Sequence, residues 1–200
     1  MNLGGLALRT TVGGLFIGHG LQKLTGAFGG PGLEGTEKMV ASLGLAPVKK
    51  NARAIAFTET LGGIAILTGT ATPVAAGGLI AAMITAVRTV HWRNGVWNSK
   101  GGYEFNAALI AALLAIADAG PGVPSMDALI GKRRWGPGGA IFALALGIGG
   151  SVAVLRFSQR RGAEQRTAVS DVGADAVTEA VTDTVSDPGT DSVRDEGADA

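Results

Sequence analysis

Five apolar blocks organise the chain, at residues 3–21, 52–70, 73–90, 103–119 and 140–155. Crossing about 30 Å of hydrocarbon takes about 20 helical residues. The blocks approach that length, and the two shortest hold 17 and 16 residues. Pro73 opens the third block, where a first helical turn tolerates a missing N–H. The fifth block carries no charge. The pattern predicts an all-α integral membrane protein. A soluble helical bundle is the weaker reading, because so few polar positions separate the apolar ones. The first block is a poor signal peptide. It lacks a basic leading segment, and Arg9 sits inside the apolar region.

Residues 25–50 form a long connection. "FGGPGLEGT" reads as a turn-rich exit from the first helix. "TEKMVASLGLAP" reads as a short helix with Thr36 as N-cap and Met39, Val40 and Leu43 on one face. It is too short to span and is expected to lie on the membrane surface.

Composition supports the same class. The 200 residues are 46% hydrophobic and 16% charged, against about 25% charged in soluble domains. Residues 1–162 hold 15 Lys/Arg and 6 Asp/Glu, whereas residues 163–200 hold 2 Arg and 10 Asp/Glu. Acidic residues recur every fourth position from Asp171 to Asp199. Like charges at that spacing repel on a helix, and large apolar residues are scarce, so disorder is expected after residue 162. The chain has no cysteine. That excludes disulfides, thiolate metal sites, iron–sulfur ligation by cysteine and a dithiol redox pair. Nucleic acid is not expected as a partner.

Loop charges predict an orientation. With the N-terminus outside, 12 Lys/Arg fall on the inner side: Lys23, Lys38, Lys49, Lys50, Arg53, Arg88, Arg93, Lys100, Arg156, Arg160, Arg161 and Arg166. The exception is "GKRRW", with Lys132, Arg133 and Arg134 outside. The excess favours N-out, C-in. Trp92, Trp97 and Tyr103 bracket the third loop and Trp135 lies in the fourth, as an interfacial aromatic belt would. Small residues recur every four positions at Thr10, Gly14 and Gly18, and again at Gly139, Ala143, Gly147 and Ser151. Packing within one bundle is the first reading of both stripes, and a dimer seam the second.

The stretch "GLFIGHGLQKLTGAFGGPGLEGT" raises the question of chemistry. Its glycines follow no strand and lack G-x-G-x-x-G spacing, which argues against a nucleotide site. They mark the end of the first membrane helix, with His19, Gln22 and Lys23 there. Chain direction brings the ends of alternate helices together, so Arg88, His91, Glu59, Tyr103 and Glu104 are expected in the same half. Glu59 lies about 10 Å into its apolar block. A charge at that depth needs a partner and is a candidate for function. Arg9, the other deep charge, is expected to pair with Glu59 or to reach Asp118, with Arg88 a second possible partner for Glu59. A purely structural set of ion pairs is the competing reading. The two histidines suit a haem or a metal only weakly, and no metal is expected. Asp118 and Asp127 read as turn and cap residues, with Ser125 a candidate N-cap.

Four separated motifs, in order, resemble the DoxX family: "LRTTVGGLFIGHGLQKLTGAFGGPGLEGT", "FTETLGGIAILTG" with Glu59 at the acidic position, "VHWRNGVWNSKGGYEFN" and "ADAGPGVPSMD". The resemblance covers roughly residues 3–130. It implies a small bacterial inner-membrane protein with a four-helix bundle, connected with redox or sulfur metabolism, some members being subunits of thiosulfate:quinone oxidoreductases. The fifth apolar block and the acidic tail depart from the family pattern. The expected organisation is a four-helix membrane domain over 1–130, a linker and added transmembrane helix over 131–162, and a tail over 163–200. The leading functional reading is a membrane redox subunit, catalytic or accessory, whose polar cluster binds a quinone headgroup or a partner protein. His19, Arg88 or His91 would donate to the quinone carbonyl and Glu59 or Glu104 would move protons. A non-catalytic scaffold for soluble redox proteins and a small proton-coupled transporter are the alternatives, and a homo-oligomer is compatible with each.

Overall fold

A computed structural model describes the backbone of residues 3–186 and the side chains of residues 3–164. Seven α-helices follow one another among the described residues: α1 (Leu3–Thr25), α2 (Gly32–Ser42), α3 (Val48–Thr68), α4 (Thr72–Ala86), α5 (Glu104–Ala119), α6 (Met126–Leu129) and α7 (Gly136–Ser186). A π-helical turn, Val87–His91, and a 3-10 turn, Trp92–Asn94, continue α4. The compact unit built from these elements ends at Gly162.

Each apolar block becomes a long helix. Two helical stretches, Thr72–Asn94 and Gly136–Glu164, are long and apolar enough to cross a membrane. At 1.5 Å per residue, α1 and α3 are about 34 and 31 Å long, which also matches the hydrocarbon thickness. The core holds Val12 and Phe16 of α1, Ile66 of α3, Leu79 and Ile80 of α4 and Leu113 of α5. Many large apolar side chains point outward instead. Phe57, Leu61, Ile64, Val74, Ile141, Phe142, Ile148 and Phe157 are all exposed. A monomer in water rarely shows so much apolar surface, and lipid is the solvent that suits it.

The two small-residue stripes have different fates. On α7, Ala143 and Ser151 are fully buried, and a Cβ at Gly147 would overlap Ile80. Thr85 Oγ1 donates to Ser151 Oγ at 3.0 Å, and Asn51 Nδ2 donates to Ser158 Oγ at 3.0 Å. The stripe packs α7 against α4, and Ser158, beyond the stripe, ties it to α3. On α1 the packing glycines are Gly13, against the backbone of Gly63 and Leu67, and Gly20, against Thr60. A Cβ at Gly14 or Gly18 would meet nothing within 4 Å. The first stripe therefore faces away from the bundle.

Two local expectations change. Thr36 is not an N-cap, because α2 begins four residues earlier, after Pro31. Its buried hydroxyl donates to Gly32 O at 2.8 Å and Lys23 O at 3.2 Å, tying α2 to the end of α1. Of the face expected on α2, Val40 is buried and Met39 is exposed. In addition, α7 runs on as helix through residues 163–186, where composition led us to expect disorder. No proline interrupts it before Pro188, and one internal Gly173 costs only about 1 kcal/mol. Residues 187–200 of that segment lie outside the described residues.

Candidate functional site

α1 and α3 are antiparallel and touch through glycine. The close approach of Gly20 to Thr60 lays the last turn of α1 beside Glu59. Glu59 is 2% exposed. Lys23 Nζ donates to Glu59 Oε2 at 2.6 Å and lies 3.4 Å from the His19 carbonyl. The partner of Glu59 is thus Lys23, not Arg9 or Arg88. Arg9 lies about 16 Å further along α1 from Gly20, toward the other end. Because α3 begins at Val48, Glu59 sits eleven residues in, about 16 Å by helical rise and deeper than the apolar block indicated. Lys23 leaves the final turn of α1 and its stem reaches back to the carboxylate, the usual way a lysine serves a charge inside an apolar layer.

His19 and Gln22 flank this pair on the same helix. Both line an open groove of about 400 Å³ along α1, whose floor includes Gly14 and Gly18. Phe28 closes one side of the groove. It adopts the left-handed conformation, with φ 54°, and is 77% exposed. A phenylalanine rarely adopts this backbone shape, and such strain concentrates where a side chain must be held in place. The His19 ring also meets Phe105 of α5 edge-on, with centroids 6.3 Å apart.

Three of the four remaining predicted residues serve the loop between α4 and α5. His91 Nδ1 donates to Gly101 O at 2.7 Å, and the Glu104 carboxylate accepts from Asn98 N at 2.7 Å. Tyr103 stacks on Trp92 with centroids 5.6 Å apart. Arg88 is exposed and has no hydrogen bond or ion pair among the described residues. The expected eight-residue cluster therefore divides. His19, Gln22, Lys23 and Glu59 form one group on α1 and α3. His91, Tyr103 and Glu104 fold the loop. Among the described residues, no three His, Asp or Glu side chains gather as metal ligands.

The other end of the bundle holds Arg9, 4% exposed. Its guanidinium donates to Pro121 O at 2.5 Å and Pro124 O at 2.7 Å, so neither Glu59 nor Asp118 is its partner. Asp118 is exposed, one residue before the end of α5. Ser125 caps α6 as expected, accepting from Ala128 N at 3.2 Å. Asp127 does more than was expected of it. Its carboxylate accepts from Ala71 N, Thr72 N, Thr72 Oγ1 and Trp135 Nε1, at 2.7 to 3.1 Å, and so caps α4 from the short helix α6. Burial alone would raise its pKa. The hydrogen bonds, first from the Thr72 backbone and hydroxyl, then from Ala71 and Trp135, outweigh burial and hold it below the usual value. The available signal was the "GTATP" helix start, which lacks an acidic cap of its own.

No curated protein and no solved structure matches the chain. Residues 4–92 match the DoxX family. That range takes in α1 to α4 and ends at Trp92, just inside the third of the four motifs that carry the resemblance. It contains the Lys23–Glu59 pair and the His19 groove. The all-helical build, the two long apolar helices and the apolar outer surface agree with the match, and the chain carries over residues 4–92 a domain of DoxX, a family of membrane proteins.

Proposed function

We propose that this protein is an integral membrane subunit of a redox system and that it receives a quinone along the outer face of α1. The observation that carries the reading is the groove itself. Imidazole and amide groups, His19 and Gln22, sit at one end of a track floored by Gly14 and Gly18. A quinone needs a hydrogen-bond donor at its carbonyl and a smooth apolar path for its chain, and a ring such as Phe28 suits stacking. The Lys23–Glu59 pair lies behind the donors and fixes α1 against α3. Electrons would come from a partner subunit, which makes the protein an accessory rather than a self-sufficient oxidoreductase. The family resemblance supports residence in the bacterial plasma membrane, and the loop charges support an N-terminus outside. A protease added to spheroplasts should spare a C-terminal tag, and loss of the tag would reverse that orientation.

Gly14→Leu tests the groove. A Cβ at Gly14 meets nothing within 4 Å, so leucine enters the groove with no clash at its Cβ. Quinone extracted from the gently purified wild type should be lost in this variant while its melting temperature is unchanged. Equal quinone in both, or none in either, removes the reading.

A scaffold for soluble redox proteins has one observation in its favour. α7 continues as helix to Ser186, and Asp171, Asp175, Glu179 and Asp183 fall at four-residue spacing along it. Soluble partners that co-purify without quinone, and are lost when residues 163–200 are removed, would put this reading first.

A further inference from the structure

Among the described residues, the Arg9 end carries a cation without a counter-ion. The described salt bridges join Lys23 to Glu59 and Lys38 to Glu34. Among the described residues, Arg9 has only the carbonyls of Pro121 and Pro124, and its buried Nε has no partner. Two cavities open beside it. One, of about 550 Å³, is lined by Arg9 and Arg133, and its neighbour, of about 440 Å³, by Arg133 and Arg134. Val123 borders both. Asp118 lines neither, and Asp127 is engaged with α4 and Trp135.

The arginines are held by their backbone. Gly122 N donates to Arg133 O at 3.3 Å and Lys132 N donates to Asp127 O at 2.8 Å. Gly120, with φ 77°, lets the chain at Arg134 approach so closely that a Cβ there would lie 2.6 Å from Arg134 Cα. The "GKRRW" segment, the exception in the loop charges, is thus folded back over the end of α1. Its apolar flank, Met126, Leu129 and Ile130, is exposed.

We propose that the Arg9, Arg133 and Arg134 side chains form a phosphate-binding site, occupied by the headgroup of an anionic phospholipid. Guanidinium groups match phosphate oxygens with paired donors, and Arg9 offers a desolvated charge where such contacts are strongest. The site lies at the end of a membrane helix, at headgroup level. Apolar walls beside the arginines suit the start of an acyl chain. This gives the cluster a role on a side where loop cations are otherwise sparse, independently of the quinone reading.

The test uses the full chain in detergent, with phosphatidylglycerol, phosphatidylcholine or inorganic phosphate added. The comparison is the R133Q/R134Q variant, whose altered side chains are exposed and lie outside the core. Phosphatidylglycerol should raise the wild-type melting temperature by about 5 °C at saturation and remain bound in native mass spectra. The variant should bind it about tenfold or more weakly. No rise with inorganic phosphate assigns the site to lipid. An equal rise with inorganic phosphate, displacing phosphatidylglycerol, keeps the phosphate site and assigns it to the free ion. Equal effects of phosphatidylcholine and phosphatidylglycerol, or an undiminished effect in the variant, would overturn the proposal.

Discussion

Glu59 and Arg9 are both charges buried between helices, yet the molecule satisfies them by different means. Glu59 has a full counter-charge in Lys23. Arg9 has two carbonyl dipoles and, among the described residues, no carboxylate. The first arrangement is neutral and joins two helices. The second leaves net positive charge and secures a loop. Depth alone therefore does not distinguish a register-fixing charge from one that attracts a ligand. The identity of the partner does.

Breaking the neutral end should have the largest effect. Lys23→Met leaves Glu59 buried and unpaired, and should cost about 3 kcal/mol of stability in detergent unfolding. Adding Glu59→Gln in that background should restore most of the loss. A double variant no better than Lys23→Met would show that the pair does not act as a unit.

At the other end, Arg9→Met strands the carbonyls of Pro121 and Pro124 and should cost about 2 kcal/mol. Arg9→Lys should not recover it, because an ammonium lacks the planar fork that serves both carbonyls. Full rescue by lysine in the same unfolding assay would show that charge, not geometry, holds the loop.

Asp127 separates the ends by pH. Its folded pKa lies below the usual carboxylate value. Its contribution is therefore complete above about pH 4, the unfolded value, and is lost as pH falls through the depressed folded value. Asp127→Asn should cost about 1 kcal/mol at neutral pH, and thermal melts should show less loss of stability in acid for the variant than for the wild type. Parallel profiles would contradict this.

The smallest effect belongs to the unpacked stripe. Gly14→Ala should change stability by no more than about 1 kcal/mol, in the favourable direction. At Gly13 a methyl would lie 2.8 Å from Gly63 O and push α1 from α3. A Gly14→Ala variant that dissociates a dimer in light-scattering measurements would make the α1 face a seam between copies rather than a groove.

The apolar blocks made the helices legible, and alternating chain direction placed Lys23, His19 and Glu59 at one end. The pairing was not legible. It depends on the Gly20–Thr60 approach and on an α3 that starts before its apolar stretch, at Val48. Arg9 misled because its partners are backbone carbonyls, which every residue carries. Asp127 caps a helix 55 positions earlier, and the "GTATP" start shows that a cap is missing without showing which residue supplies it. His91 and Glu104 have suitable chemistry for a site, but their hydrogen bonds to Gly101 and Asn98 show that they shape a loop.

The central claim is that α1 presents a quinone site on its outer face. A photoactivatable quinone analogue, irradiated with the purified protein and located by peptide mass spectrometry, tests it most directly. Label should fall within residues 14–28, fade with excess unlabelled quinone, and disappear in Gly14→Leu. Label confined to other helices, or unaffected by Gly14→Leu, would contradict the account.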